Sequence, residues 1–279
     1  MYDAGASIVI YKNNKQQLLQ TIKSVLNTRL RIKLILVDNS PTNSLKSVKL
    51  DSRIEYIFNP SNPGFGASHN IAINKSIERG LSYHFVVNPD VFFQDDIISL
   101  MLNYANSDSR IGMLMPKILN LNGSIQHLPK LLPSPFSLLM RKLKWPSWYH
   151  KKLIEVYELR FVDKNKSFNS PVISGCFTLL NLSAIKEIGS YDNNFFMYFE
   201  DWDLSRRIHK KYKTIYFPEA SLYHHYNSGA NKRFKLFLVF IKSAITYFNK
   251  WGWFFDSERK QINKCTLESL KNENFNNRI

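Results

Sequence analysis

Cysteine is scarce. The chain has two, Cys176 and Cys265, far apart and in no metal-ligand spacing, which points to free thiols in a reducing compartment and to neither a disulfide nor a structural zinc site. Long apolar runs are also missing: no stretch of about 18 residues is continuously apolar, and Met1 to Gly5 have neither the basic nor the apolar part of a secretory leader. A soluble or peripheral cytoplasmic protein is expected. There is no Gly-x-Gly-x-x-Gly fingerprint and no Gly-Lys-Ser/Thr loop, which argues against a dinucleotide oxidoreductase and against a P-loop kinase. Acidic residues are outnumbered, 22 against 38 Lys and Arg, for a formal net charge of +16. That balance selects anionic partners: nucleic acid, an acidic membrane surface or a phosphorylated substrate. The basic residues compose no nucleic-acid reading motif and are interleaved with hydrophobes, so nucleic acid is disfavoured.

What is present is enough apolar material, 44% of 279 residues, to bury a sizeable core. Ala6 to Tyr11, Leu34 to Val37, Ile54 to Phe58 and Tyr83 to Val87 are short β-branched or apolar runs that predict buried strands. Gln16 to Leu26, Ala67 to Arg79 and Asp95 to Tyr104 carry helical spacing between and after them. Strands alternating with helices predict an α/β fold with a Rossmann-like, mostly parallel central sheet flanked by helices, with ligands beyond the carboxyl ends of its strands. Asp38-Asn39, Gly64-Phe65-Gly66 and Asn88-Pro89-Asp90 stand at those ends. The simplest partition is one catalytic domain over 1–231, with halves at about 1–110 and 111–231, followed by a basic, aromatic helical extension over 232–279.

Several of these residues can carry chemistry. Asp38 suits either a turn bond to local backbone or a contact to a base or ribose. Gly64-Phe65-Gly66 before a helix can cradle a phosphate. Asp90, after a turn-fixing proline, can bind a hard cation such as Mg²⁺ or Mn²⁺ that shares its remaining positions with diphosphate and water. Glu200, Asp201 and Asp203 follow an aromatic run, Phe195 to Phe199, and open a helix. They suit helix N-terminus stabilisation with Arg206 and Arg207 as partners, or a general base in a partly dry site. His224 and His225 follow a strand and are candidate metal ligands. Ser137 to Trp145 and Lys232 to Phe255 are amphipathic and cationic, suited to a membrane interface or to closing the domain.

In chain order, Leu36-Val37-Asp38-Asn39-Ser40, Asn62 to Asn70, Val87-Asn88-Pro89-Asp90, Met115 to Leu119 with Asn122 to Gln126, Ile173 to Phe177, Phe196 to Leu204 and Pro218-Glu219-Ala220 leading to His224 together resemble the family 2 glycosyltransferases of GT-A fold, and among them the rhamnosyltransferase-like branch of O-antigen and cell-wall assembly. The resemblance implies an inverting, metal-dependent sugar transfer, with dTDP-L-rhamnose as favoured donor and a lipid-linked glycan as acceptor, at the inner face of the cytoplasmic membrane. It implies that Asp38 contacts the nucleobase, that Gly64 to Asn70 hold the diphosphate side, and that Tyr11, Asn39 and Asn88 belong to the donor site. Asp90 stands for the last carboxylate of the Asp-x-Asp metal motif and His224 for a further ligand. Asp201 is implied as catalytic base, with Gly175, Glu200, Trp202 and Asp203 shaping the acceptor pocket. Asn88 replaces the first carboxylate of the usual motif. Two alternatives stay open: a galactofuranosyl- or hexosyltransferase using a UDP-sugar, and a non-catalytic glycan- or nucleic-acid-binding protein.

Overall fold

The computed structural model describes residues 2–143, 145–225 and 234–276. The four apolar runs of the first half form β1 (Ala4–Ile10), β2 (Ile32–Asp38), β3 (Ile54–Phe58) and β4 (Tyr83–Val87), all parallel, in the order β3-β2-β1-β4. Three of them are followed by a packing helix: α1 (Lys15–Leu26) after β1, α2 (Phe65–Glu78) after β3, and α3 (Ile97–Ser107) after β4 and the two-residue strand β5 (Val91–Phe92), whereas β2 leads only to a 3₁₀ turn over Lys46–Val48. The Asn14 carboxamide accepts from the Gln16 and Gln17 amides to start α1, and the Asp96 carboxylate accepts from Ser99 to start α3, satisfying amides that a helix leaves open at its first turn.

Beyond β4 the sheet turns mixed. The apolar run from Val172 to Leu182 divides into a loop, a strand β8 and a helix α6. β8 (Phe177–Asn181) lies antiparallel to β4, and α6 (Leu182–Ile188) is capped by Asn181. Strand β6 (Ile111–Leu119) pairs antiparallel with β8 and parallel with β9 (Lys213–His224), and β9 in turn holds the short strands β5 and β7 (Phe168–Asn169) antiparallel. The main apolar core takes Leu34 and Leu36 of β2, and Ile35 and Val37 on the opposite face of that strand form a separate small cluster with Ala72 of α2. The chain thus has the α/β, GT-A architecture expected.

The Pro-punctuated basic stretch forms α4 (Pro135–Leu143) and α5 (Ser147–Tyr157), and the acidic cluster opens α7 (Glu200–His209). The C-terminal helices α8 (Phe234–Trp251) and α9 (Ser257–Asn276) pack against the rest of the chain. Tyr247 and Phe248 share a buried cluster with Phe195 and Phe199, Leu270 reaches the main core, and the Asn263 carboxamide pairs with both backbone groups of Leu132 at 2.8 and 3.0 Å. Lys232, where the extension was expected to begin, lies outside the described residues.

Candidate active site

The register of the sheet brings the donor-side residues to one edge. Ile10 is opposite Asp38, and Ile8 is opposite both Leu36 and Val87, so Tyr11, Asp38 and Asn88 leave the carboxyl ends of adjacent strands together. Tyr11 is exposed at this edge, whereas Asp38 is fully buried. One Asp38 oxygen accepts from the Ser40 amide at 2.9 Å and the other from the Tyr56 hydroxyl at 2.5 Å. The turn bond expected of an Asp after a strand is therefore made. The Asn39 carboxamide is tied to Ser68 and Asn59, fixing the floor of the same edge.

After β4 the chain is held from two sides. The Asn88 amide donates to the Cys176 carbonyl at 2.8 Å, and the Thr21 hydroxyl of α1 bonds the carbonyls of Pro89 and Val91 at 3.0 and 2.7 Å. Val91 then pairs with His224, and the His225 amide donates to the Asp90 carbonyl. This pairing sets the Asp90 carboxylate 3.3 Å from His224 Nε2. His224 Nδ1 is in turn held 3.1 Å from the Gln126 side chain, a residue of the matched motif that carried no role in the sequence reading. Burial opposes a charge on His224, but the nearby Cys176 and Asp90 outweigh it and raise its pKa to about 10. A cation bound here would replace that proton.

The donor set fits a divalent cation. Asp90 Oδ1 is buried and faces the His224 imidazole at 3.3 Å, which sets a hard oxygen ligand beside an imidazole that a neighbour already orients. Among the described residues no three His, Cys, Asp or Glu side chains gather as a closed cage. Two protein ligands leave most of the coordination sphere to diphosphate and water, as a catalytic site requires.

The base candidate is delivered by strain. Tyr198 and Phe199, with φ of 71° and 66°, both lie in the left-handed region that non-glycine residues avoid at roughly 1–3 kcal/mol each. Phe199 is locked there by Trp202, Phe240 and Tyr247, with ring centroids 4.7–5.5 Å away. The turn drives the first residues of α7 inward, so that Glu200 is buried and Asp201 remains partly accessible. Asp201 Oδ2 accepts from the Gly175 amide and Oδ1 from the Trp202 amide, both at 3.0 Å.

The two neighbouring carboxylates differ in consequence. Burial raises the Asp201 pKa, while the amides of Gly175 and Trp202 hold the rise back. Glu200 is pushed up much further, by burial and then by the charge of Asp201, and its Oε2 has no hydrogen-bond partner. Two carboxylates in one dry site do not both ionise cheaply, and the one with N–H donors takes the charge. The amide donors favour the charge on Asp201, and burial beside that charge favours the proton on Glu200.

Asp201 and the Asp90–His224 pair are linked through two consecutive residues. Gly175 donates to Asp201, and the adjacent Cys176 accepts from Asn88 and interacts with His224. Thr178 and Ser205 anchor this segment through Ser174 and Ile173.

Other expectations are corrected. Asp203 does not line a pocket: it is fully buried and spent on Arg207 at 2.8 Å, Lys250 at 2.8 Å and the Trp251 indole at 2.9 Å. Arg206 pairs not with its own helix but with Asp256 and Glu258. Gly64 and Gly66 are not an open phosphate cradle. The Phe65 amide at the start of α2 donates to the Phe196 carbonyl at 2.8 Å. A Cβ on Gly64 would lie 2.2 Å from that carbonyl oxygen, and one on Gly66 2.8 Å from Tyr191. These glycines admit the aromatic loop, and Phe65 packs beneath it on His69 and Tyr191. Asn70 clamps the same loop through Tyr191 and Asn193. Gly175 is adjacent to Asp201, and Trp202 is half-buried against Phe199.

Comparison with known proteins gives the family of the chain. The model of glycosyl transferase family 2 matches residues 7–189, well over half of the chain. The chain is a family 2 glycosyltransferase. It is 27% identical over 213 residues to the N-acetylglucosaminyl-diphospho-decaprenol L-rhamnosyltransferases of two Mycobacterium tuberculosis strains, CDC 1551/Oshkosh and ATCC 25618/H37Rv, covering 72% of this chain and 68% of each relative. This transferase also superposes on the crystal structure of GalNAc-T7 with UDP, GalNAc and Mn²⁺. The TM-score is 0.62 at 16% identity, over 82% of this chain, which spans only 44% of that one. That likeness supports the fold.

Proposed function

We propose that this glycosyltransferase is inverting and metal-dependent, moves L-rhamnose from dTDP-L-rhamnose onto a lipid-linked precursor of a surface polysaccharide such as O-antigen, and uses Asp201 as base. The observation that carries the reading is the junction at Gly175-Cys176, with the base on one side and the Asp90–His224 pair on the other. The sugar moved and the lipid-linked acceptor class are those in the name of the mycobacterial relatives. Asp201, held by two amides, takes the proton of an acceptor hydroxyl as the oxygen attacks the anomeric carbon from the face opposite the nucleotide, giving inversion. Asp90 and His224 would hold a Mg²⁺ or Mn²⁺ ion, which would supply charge stabilisation for the departing diphosphate. Tyr11, Asp38, Asn39 and Asn88 bound the nucleotide side. Gly175 and Trp202 border the acceptor.

The same reading places α4 and α5 at an anionic membrane surface. Trp145 and Trp148 are 77% and 69% exposed, with exposed Lys142, Lys151 and Lys152 on the same two helices. Aromatic and basic side chains together suit the headgroup region. Among the described residues no helix is long and apolar enough to cross a membrane.

The test is a donor screen with purified protein, dTDP-L-rhamnose against UDP-hexoses and UDP-galactofuranose, with and without Mg²⁺ or Mn²⁺. Metal-dependent turnover of dTDP-L-rhamnose is expected, with loss of about 10²–10⁴-fold in Asp201→Asn. Preferred turnover of a UDP-sugar overturns the donor, and unaltered function in Asp201→Asn overturns the base.

A further inference from the structure

The acceptor half carries a group of cations that sugar transfer at Asp201 does not use. Glu158, buried where α5 ends, accepts from Arg160 at 2.6 and 2.9 Å, lies 3.3 Å from the Arg141 guanidinium and 3.8 Å from Lys130 Nζ. Three cations thus share one carboxylate. Lys130 is buried, and burial together with Arg141 and Arg160 outweighs Glu158 to bring its pKa down to about 8. Like charges in a partly dry place repel unless another anion joins them.

Two polar atoms at this place also lack partners. His127 Nδ1 is buried without a hydrogen bond, and its imidazole is in the field of Arg160, Lys164, Glu158 and Lys130. The Tyr157 hydroxyl is likewise unsatisfied, on a ring 95% buried with Arg141 5.7 Å above it. Unsatisfied buried groups of this kind call for a ligand or water.

The position of the cluster points to which anion. On one side, Lys130 pairs through its backbone with Val172, three residues before Gly175, and its charge acts on Asp201. On the other side Arg141 belongs to α4, whose Phe136, Leu139 and Leu143 are exposed with Trp145 and Trp148. The order is base, cations, exposed apolar face. A saccharide joined through a diphosphate to a prenyl chain has the same order of sugar, anion and hydrocarbon.

We propose that Lys130, Arg141 and Arg160 form the subsite for the diphosphate of a prenyl-diphosphate-linked acceptor, preorganised by Glu158. This rests on the lipid-linked acceptor of the functional reading. Guanidinium groups suit the task, since they bind phosphate oxygens bidentately, and the partial exposure of Arg141 and Arg160 leaves them reachable.

The test compares two acceptors that bear the same saccharide, one on farnesyl diphosphate and one on a farnesyl ether without phosphate. In Arg141→Gln/Arg160→Gln the ratio of kcat/KM for the first over the second should fall about tenfold or more, through KM. Arg141→Lys/Arg160→Lys should recover part of it. A ratio unchanged in the Gln variant overturns the subsite. A second readout needs no turnover: equilibrium dialysis of farnesyl diphosphate against the full chain without divalent metal, in an Asp90→Asn background. Binding should be displaced by inorganic pyrophosphate, not by farnesol, and lost in the Gln variant. Displacement by farnesol alone shows an apolar site and overturns the proposal. If no donor is turned over but this binding holds, the functional reading fails and the subsite stands.

Discussion

Replacing Glu200 by Gln separates the two carboxylates at the head of α7. If Glu200 is the protonated partner, Gln is a near-isostere of what is already there, a neutral side chain of the same shape. The loss in kcat/KM should then stay under about tenfold, which is about 1.4 kcal/mol. Asp201→Asn removes the anion that takes the proton, and the expected loss is about 10²–10⁴-fold, or about 3–5 kcal/mol in the barrier. Initial rates across pH complete the comparison. The acidic limb of wild-type kcat/KM should lie above the usual aspartate value, because burial raises Asp201, and it should persist in Glu200→Gln. Stability gives an independent sign. The folded-state pKa of Glu200 lies well above 4.5, through burial and then Asp201, so between those two values the folded chain keeps a proton that the unfolded chain has released. Stability from this group therefore falls as pH rises through that window. Urea midpoints at pH 5 and pH 8 should differ less in Glu200→Gln than in the wild type. A Glu200→Gln enzyme as dead as Asp201→Asn would refute the assignment of charge within the pair.

Gln126→Leu should free the Nδ1 side of His224 and weaken Mn²⁺ binding about 10–100-fold, measured by calorimetry or by the metal dependence of turnover. Arg206→Met should cost about 3–5 kcal/mol in chemical denaturation, because it leaves the buried Asp256 and the facing Glu258 without their 2.8 Å partner; Arg206→Met/Asp256→Leu should recover most of that loss. Gly64→Ala should lower both stability and activity, since its φ is 108° and the new Cβ meets the Phe196 backbone. Gly80→Ala, at φ 70° in open space, should cost only about 1–2 kcal/mol of stability and leave kcat alone. Trp145→Glu/Trp148→Glu should reduce sedimentation with anionic vesicles at low salt.

The parallel half of the fold was legible because its signals are local. A β-branched run such as Leu34 to Val37 can be buried on both faces, and the polar residues that follow it mark the strand end. The second half was harder to read. Strand β6 breaks its pattern at Pro116, where its pairing with β9 shifts register, and β9 continues through Pro218 and Glu219 for twelve residues. The run from Val172 to Leu182 looks continuous, but only its later part can reach β4. Helix α9 has little amphipathic pattern to announce it, and it is held by particular contacts such as Asn263 to Leu132.

The fate of the acidic cluster shows why motif spacing alone does not assign roles. Glu200, Asp201 and Asp203 are one chemical type within four residues, and a helix N-terminus favours all three. Tertiary surroundings divide them. Asp203 faces α8, where Lys250 and Trp251 join Arg207 to consume its oxygens. Glu200 is buried beside Gly66 with its Oε2 without a hydrogen-bond partner, and burial followed by the Asp201 charge pushes its pKa up. Asp201 alone meets a backbone amide from a distant segment, and that segment continues into Cys176 and the Asp90–His224 pair. Gly175 is what permits the contact: a Cβ there would lie 3.3 Å from the Asp201 Cβ and 3.5 Å from Phe65. A larger residue at 175 would press on the base while leaving Asp90 and His224 in place. The expected signature of Gly175→Val is a collapse of kcat with Mn²⁺ affinity retained, and a matching loss of metal affinity would show instead that the whole segment had moved.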